Sequence, residues 1–414
     1  MELPFLQELR EVTARVRAGE TLSLEELGRL KAENRRRAEE AEREDREICD
    51  SLPTWINTTN STVCNLKCGF CPQAYGKGVD WKMPEPIYQR VIEELYPATE
   101  IVQLSAYGEP MMTPKIHDKI ADMERFGIKL EMVSNLTLMK GDKLVERMAR
   151  VMGLLTVSMD GATKQTYDGL RVGADFDQVM ANIRNYNHFR HQLPEADRAP
   201  LHFQFILMKR TASELSDFMR LAQDLDAQHV TISHLVLMEK DFEDEMMGND
   251  RSSKLEANEA ISRARQTAEE LDLSVNLPPL FEVDEPEAST EPSASASPGS
   301  EGPPRTPEIR CWFLWQRLYV GTFGDVVPCC LAGIHANGSV KEESDFFTEW
   351  NSDMYRMMRR QVHSKHPYGP CRTCYLINRS SDTGDFDPAE KGGPAGEQDQ
   401  ADVSSTESGP GEVR

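Results

Sequence analysis

Three cysteines fall within eight residues of one another, in the run Cys64-Asn-Leu-Lys-Cys68-Gly-Phe-Cys71-Pro. On a loop just after a strand, three thiolates can grip one compact metal unit. A structural zinc site closes its shell with four ligands, yet the next histidine in the chain is His117, and Cys49 precedes the strand. Three protein ligands leave one position open, and soft thiolates suit iron–sulfur chemistry. A four-iron cluster held by three cysteines has one uncommitted iron that can take an exogenous ligand. The alternative is a zinc site completed by a distant fourth residue.

A second group lies in the last quarter of the chain: Cys311, then seventeen residues, then Cys329 and Cys330, and after a long gap Cys371-Arg-Thr-Cys374. The start of the chain, MELPFLQELREVTARV, mixes acids into its first turns and does not have the form of a signal peptide. Clustered cysteines without a secretion signal point to metal sites in a reducing compartment, hence a cytoplasmic protein, rather than to disulfides. No apolar run of about 18 residues occurs, so no membrane span is expected.

The elements that must position these groups are legible as alternation. Residues 1–48 read as helical: Leu6, Leu9, Val12 and Val16 keep helical spacing, and Ser23 with Glu26 forms a capping box before Leu27 and Leu30. The stretch KAENRRRAEEAEREDREI is charged all round and reads as a solvated helix. From about residue 53 to 280, short apolar runs alternate with amphipathic segments. Strands are expected at 54–60, 100–106, 129–134, 154–159, 201–208 and 229–236. Helices are expected at 84–95, 114–126, 141–150, 176–190, 213–224 and 254–271. Six such units in a row imply a parallel sheet with right-handed crossovers, either open or partly closed into a barrel.

Charge and composition mark the boundaries. Residues 282–308 carry seven acids against one Arg, and 380–414 nine acids against one Lys and one Arg, so these two stretches hold more than half of the net −22. Both are rich in Pro, Ser and Gly and read as disordered. The remaining body is still net acidic, which argues against nucleic acid as a partner. The expected organisation is an N-terminal helical extension (1–50), a core (51–281), a linker (282–308), a cysteine-bearing domain (309–378) and an acidic tail (379–414).

The C-x3-C-x2-C spacing with an aromatic before the third cysteine resembles the signature of the radical S-adenosylmethionine (SAM) superfamily. Ala106-Tyr107-Gly108-Glu109-Pro110, after the second strand, is similar to that family's GGEP segment, with Tyr107 in place of the first Gly. Val157-Ser158-Met159-Asp160-Gly161 resembles its S-x-D-G segment, and Arg171 matches an arginine that often meets the SAM carboxylate. The resemblance implies that Cys64, Cys68 and Cys71 hold a 4Fe-4S cluster. It implies SAM contacts from Phe70 against adenine, from Gly108, Glu109 and Pro110 toward the methionine amino group, and from Ser134 and Asn135 on the ribose side. Ser158, Asp160 and Arg171 complete the set. Bland readings stand beside these: Gly108–Pro110 as a turn, Asp160 as a cap before Thr163, Arg171 at the surface, and Ser134 and Asn135 as strand-end turn formers. Each segment falls at the C-terminal end of a successive expected strand, where parallel barrels assemble their sites. The implied fold is α/β: a partial (β/α)6, TIM-like barrel with a small C-terminal iron–sulfur domain.

The later cysteines, with Gly324 preceding Cys329 by four intervening residues, resemble the SPASM/twitch extension of that superfamily. Cys311, Cys329, Cys371 and Cys374 are then the ligands of a second 4Fe-4S cluster. No cysteine follows Cys374, which fits the single-cluster twitch form. Cys330 reads as a buried thiol, with exchanged roles for Cys329 and Cys330 as the alternative, and a zinc site from the same four as another. Trp350 and the helix around Tyr355–Val362 would brace the site, while His363 and His366 read as surface residues. The implied activity is reductive cleavage of SAM to a 5′-deoxyadenosyl radical that takes hydrogen from a substrate carbon. A four-cysteine second cluster would relay electrons, suggesting oxidation of a small metabolite, with an electron donor such as flavodoxin or ferredoxin. The rivals are a maturase acting on a ribosomal peptide and a non-catalytic iron–sulfur or zinc protein.

Overall fold

The computed structural model describes residues 3–71, 80–104, 108–236, 240–283, 310–329, 340, 344–364, 367–368, 371 and 374. Tyr107, Cys330, His366, nearly all of the expected linker and the acidic tail lie outside the described residues.

Helix α1 (Pro4–Arg17) begins with proline, where a missing N–H leaves nothing unpaired, and buries Phe5, Leu6, Leu9, Val12 and Val16. Helix α2 (Leu24–Arg43) is capped by Ser23, whose hydroxyl accepts the Glu26 N–H at 3.1 Å. Solvent on every side was the expectation for its charged stretch, but one stripe is buried: Leu27, Leu30, Lys31, Asn34, Ala38 and Ala41. Two of these polar residues bury by capping carbonyls. Lys31 Nζ donates to Phe126 O at 2.6 Å, and Asn34 Nδ2 donates to Leu52 O at 2.9 Å and Ala98 O at 3.1 Å. A long stem or a carboxamide can be dry when its polar end is satisfied.

The strand–helix alternation follows: β1 (Trp55–Thr58), α3 (Glu85–Glu94), β2 (Ile101–Leu104), α4 (Ile116–Arg125), β3 (Lys129–Ser134), α5 (Asp142–Val151) and β4 (Met152–Ser158). Then come α6 (Lys164–Leu170), α7 (Phe176–Arg190), β5 (Leu201–Leu207), α8 (Lys209–Ala212), α9 (Leu215–Asp224), β6 (His229–His234), α10 (Arg251–Glu270) and β7 (Ser274–Asn276). The late segment adds α11 (Phe313–Gln316), β8 (Arg317–Val320), β9 (Val326–Val327), α12 (Phe346–Trp350) and α13 (Asp353–Val362). The sheet order is β7-β6-β5-β4-β3-β2-β1-β8-β9, an open sheet consistent with a partial barrel. Every pairing is parallel except β8 with β9. The sequence offered no warning that β8 pairs with β1, Trp55 beside Arg317 and Thr58 beside Val320.

The two faces of the sheet differ. Residues such as Ile56, Val102, Leu130, Leu155, Phe203 and Val230 are buried beneath the helices; Phe203 and Phe205 meet Phe218 of α9 at 5.9 and 4.7 Å between ring centroids. The opposite face carries Asn57, Gln103, Glu131, Thr156, Gln204 and Thr231, buried or half-buried and polar. Asn57, Gln103 and Glu131 lie side by side in register. Asn57 Nδ2 donates to Gln103 Oε1 at 2.8 Å, and Arg317 Nη2 donates to the same oxygen at 2.7 Å. Packed barrel interiors favour branched aliphatics, so this face has the character of a chamber lining. Among the described residues no helix is long and apolar enough to cross a membrane.

Candidate functional site

The loop after β1 carries Cys64, Cys68 and Cys71, none in a disulfide. Burial pushes the Cys64 thiol above its usual range and Cys68 up to about 11, and each feels the charge of its neighbours in the trio. Thiols so placed are costly to ionise in the bare protein; a bound metal centre supplies the positive charge that offsets this. Among the described residues no three His, Cys, Asp or Glu side chains are drawn together as ligands of a single ion.

Gly108 clamps the loop after β2 against the strand leading to Cys64. Its φ of +81° belongs to the left-handed region, and a Cβ there would lie 2.6 Å from both Thr62 C and Val63 O. Next to it, Glu109 N donates to Val63 O at 2.8 Å. The Glu109 carboxylate faces inward, 2% exposed. It accepts from Ser134 Oγ at 2.7 Å, Asn135 N at 2.9 Å and Met111 N at 3.2 Å, the last as cap of the short turn begun by Pro110. Burial raises its pKa against these three donors. The geometry thus gives the Glu109 side chain, and with it the Ser134 hydroxyl, the work of tying the β2 loop to the end of β3. Asn135 likewise spends its carboxamide on protein partners, one of them Cys64 Sγ at 3.9 Å.

At the end of β4, Ser158 lies in register with Gln204, and Asp160 is wholly buried. Asp160 Oδ1 accepts the Ile206 N–H at 2.9 Å, while Oδ2 lies 2.6 Å from Arg171 Nη2. The cap before α6 is Thr163 itself, which accepts from Thr166 N. Arg171 is 7% exposed, not at the surface. Burial opposes its charge, but Asp160, Cys68 and Tyr167 more than compensate and keep it protonated. Its Nε is buried with no hydrogen-bond partner among the described residues, and its guanidinium lies 5.8 Å from the centre of the Phe70 ring. Phe70 itself packs with Leu170, Met208, Leu235 and Phe242. A spare donor beside the cysteine loop and a glycine that only backbone can approach both fit a cluster carrying an amino-acid ligand.

Cys311, Cys329, Cys371 and Cys374, the expected ligands of a second centre, are all among the described residues, and none is in a disulfide. Burial raises Cys311 to about 11 and Cys371 to about 12; the charges of Cys329 and Cys374 push both of these thiols the same way, and that of Cys311 adds to the effect on Cys371. His363, expected at the surface, stacks on Trp315 (5.5 Å, 10°) and accepts the Cys311 N–H on Nε2 at 3.0 Å, with Nδ1 2.6 Å from Asp45. Arg359 is another residue that sequence reasoning missed. It is 1% exposed and donates to Leu314 O, Glu47 O, Trp350 O and Asn351 Oδ1 at 2.8–3.1 Å. On a helix that also carries Arg356 and Arg360, nothing in the sequence sets it apart. Tyr355, over which Arg359 lies, is buried and feels the charge of Cys329. A cavity of about 680 Å³ beside β7, lined by Arg265, Asp272, Leu273 and Val275 among others, includes none of these residues.

Comparison with known proteins adds to this geometry. The model of the Radical SAM superfamily matches residues 61–190, and that of an iron–sulfur cluster-binding domain, SPASM, matches 311–375. An AdoMet-dependent heme synthase of Methanosarcina barkeri is 24% identical over 188 residues, 45% of this chain and 52% of its own. A tungsten-containing aldehyde ferredoxin oxidoreductase cofactor-modifying protein of Pyrococcus furiosus is 24% identical over 42% of this chain and 49% of its own. The match thus spans about half the length of these curated relatives. Among solved structures, Streptococcus suis SuiB bound to S-adenosylmethionine superposes with a TM-score of 0.55 at 16% identity, over 83% of this chain and 75% of SuiB. SuiB bound to the precursor peptide SuiA gives 0.52 at 17% identity, over 78% and 70%. At such identity the likeness is one of fold.

Proposed function

We propose that the chain is a radical SAM enzyme with a SPASM iron–sulfur domain, an oxidoreductase that removes hydrogen from a small, polar substrate. A 4Fe-4S cluster with one open iron supplies, with SAM, reductive cleavage to a 5′-deoxyadenosyl radical. In this reading Cys64, Cys68 and Cys71 hold that cluster. Arg171, fixed by Asp160 and with Nε unspent, orients the carboxylate of the methionine moiety. Gly108 lets the backbone of the Gly108–Pro110 segment approach the amino group, and Phe70 offers a ring edge to the adenine. Glu109 and Ser134 act at one remove, by holding the β2 and β3 loops in a fixed relation.

The observation that carries the substrate reading is the polar face away from the helices. Asn57, Gln103 and Glu131, side by side in register, and Arg317, which reaches Gln103 Oε1 at 2.7 Å, offer donors and acceptors to a substrate below the cysteine loop. Water exclusion and close positioning are the protein's share of such chemistry. At the second centre four cysteines would leave no open iron, which suits the removal of an electron from the substrate after hydrogen abstraction. A flavodoxin or ferredoxin would feed the first centre. The SuiB–SuiA complex suggests a peptide as the alternative substrate. Against it, the apolar stripes of α1 and α2 are spent on packing within this chain and are not available to a peptide.

The test is anaerobic reconstitution with iron and sulfide, followed by a 5′-deoxyadenosine assay with reductant and SAM. We expect about eight irons, falling to about four in a Cys64/Cys68/Cys71→Ala variant, with 5′-deoxyadenosine lost. Full iron with no SAM binding would refute the enzymatic reading. Iron confined to the first centre, with zinc in the second, would refute the electron relay.

A further inference from the structure

Three side chains close a ring next to Cys64. Asn65 Nδ2 donates to Thr137 Oγ1 at 2.8 Å, Thr137 Oγ1 donates to Asn135 Oδ1 at 2.7 Å, and Asn135 Nδ2 donates back to Asn65 Oδ1 at 3.1 Å. All three bonds run the same way round, the arrangement in which hydrogen bonds polarise one another. The ring uses one of the two hydrogens on Asn135 Nδ2. The other faces Cys64 Sγ at 3.9 Å.

Which end of the carboxamide faces the sulfur is decided by a neighbour. Thr137 N–H can only donate, and it meets the other end of the Asn135 carboxamide at 3.0 Å, so that end is oxygen and the NH2 group must face the thiol. The backbone is fixed as well, because Asn135 N donates to Glu109 Oε2 at 2.9 Å and the residue is only 5% exposed. A second donor, Leu66 N, reaches the same sulfur at 3.4 Å but belongs to the main chain, which any residue would supply.

We propose that Asn135 is a positioning residue that locks Cys64 in place and donates an N–H···S hydrogen bond to it, thereby setting the reduction potential of the cluster held by the first three cysteines. The inference rests on the reading of that loop as a cluster site. Reduction adds negative charge that spreads onto the ligand sulfurs, and a donor aimed at one of them stabilises the reduced form; potentials of such clusters follow the hydrogen bonds to their sulfurs. Asn65 and Thr137 take part only by aiming the carboxamide.

The experiment is an EPR-monitored redox titration of the anaerobically reconstituted full chain, following the signal that changes on addition of SAM. Wild type is compared with Asn135→Leu, Asn135→Asp and Thr137→Val at equal iron content. The midpoint is expected to fall in Asn135→Leu, to fall further in Asn135→Asp, where a carboxylate replaces the donor, and to fall least in Thr137→Val, where the ring is opened but the backbone N–H of residue 137 still holds the carboxamide oxygen. Pulsed EPR on protein labelled with 15N-asparagine should show a nitrogen coupling to the reduced cluster that Asn135→Leu abolishes. An unchanged midpoint in Asn135→Leu overturns the proposal, and so does loss of the cluster from all three variants, which would make Asn135 a structural brace. A wild type that assembles no SAM-responsive cluster overturns the underlying reading and takes this inference with it.

Discussion

Replacing Gly108 by alanine tests whether the clamp between the β2 loop and the strand leading to Cys64 is as tight as described. Two costs add. An L-residue on the left-handed side, at φ +81°, loses about 1–2 kcal/mol. The added Cβ would lie 2.6 Å from Thr62 C and Val63 O, both backbone atoms, so one segment must retreat by roughly 0.8 Å, a form of overpacking that costs about 1–3 kcal/mol. Val63 O is held by Glu109 N at 2.8 Å and Thr62 N by Trp81 O at 3.0 Å, so the retreat breaks or stretches these bonds. The total is about 2–5 kcal/mol. Gly19 provides the internal control: its φ is +85°, but nothing lies within 4 Å of its absent Cβ. Gly19→Ala should therefore cost only the backbone share, about 1–2 kcal/mol. Denaturant unfolding of the cluster-free proteins measures both. The retreat also displaces Cys64, two residues on, so 5′-deoxyadenosine formation by reconstituted Gly108→Ala should drop by about 10- to 100-fold, the scale on which ångström displacements act. If Gly108→Ala unfolds with the same midpoint as Gly19→Ala and cleaves SAM at the wild-type rate, the clamp is not what holds the site.

Three further outcomes are expected. Burial lifts Glu131 from 4.5 to about 7 despite Arg317; the folded state thus holds the proton more tightly, and its stabilising contribution, complete below about pH 4.5, is lost as pH rises through 7. Glu131→Gln should accordingly be more stable than wild type at pH 8 by about 1–2 kcal/mol, after allowance for solvent screening, and no different at pH 4, as read by thermal unfolding of the cluster-free chain. Arg359→Met leaves several carbonyls without donors and should lower stability by about 3 kcal/mol or more, whereas exposed Arg263→Met should stay within about 0.5 kcal/mol. Cys371→Ser should halve the iron content, from about eight to about four, while SAM cleavage at the first centre persists.

Period and spacing made much of this molecule legible beforehand. The strands at 129–134 and 229–236 and the helix at 176–190 stood out because apolar residues recur with the strand or helix period, and each is present within a few residues. The cysteine spacing named the metal chemistry because ligand geometry is local. What stayed hidden is non-local. Nothing in Arg317–Val320 says that its neighbour is Trp55–Thr58, since four apolar-rich residues can pair with any strand of similar character. The burial of Arg359 and His363 was concealed by charge, which at the level of sequence looks the same whether it faces water or carbonyl oxygens. Asn65 lies 70 residues before Asn135 and 72 before Thr137, and all three resemble turn formers until the strands bring them together. The short α6 escaped notice because seven residues carry too few turns for a period to show.

The pairing of β8 with β1 has a consequence in time. Strand β1, which delivers the first cysteine loop, has β2 on one side within fifty residues, but its other edge is covered only by residues 317–320. At a translation rate of about 5–20 residues per second, that edge stays bare for roughly 13–50 s while the intervening chain emerges. An unpaired strand edge is a template for wrong partners. The six strand–helix units therefore emerge while the edge of β1, just before the cysteine loop, is still bare, and that edge is sealed only when the last quarter of the polypeptide arrives.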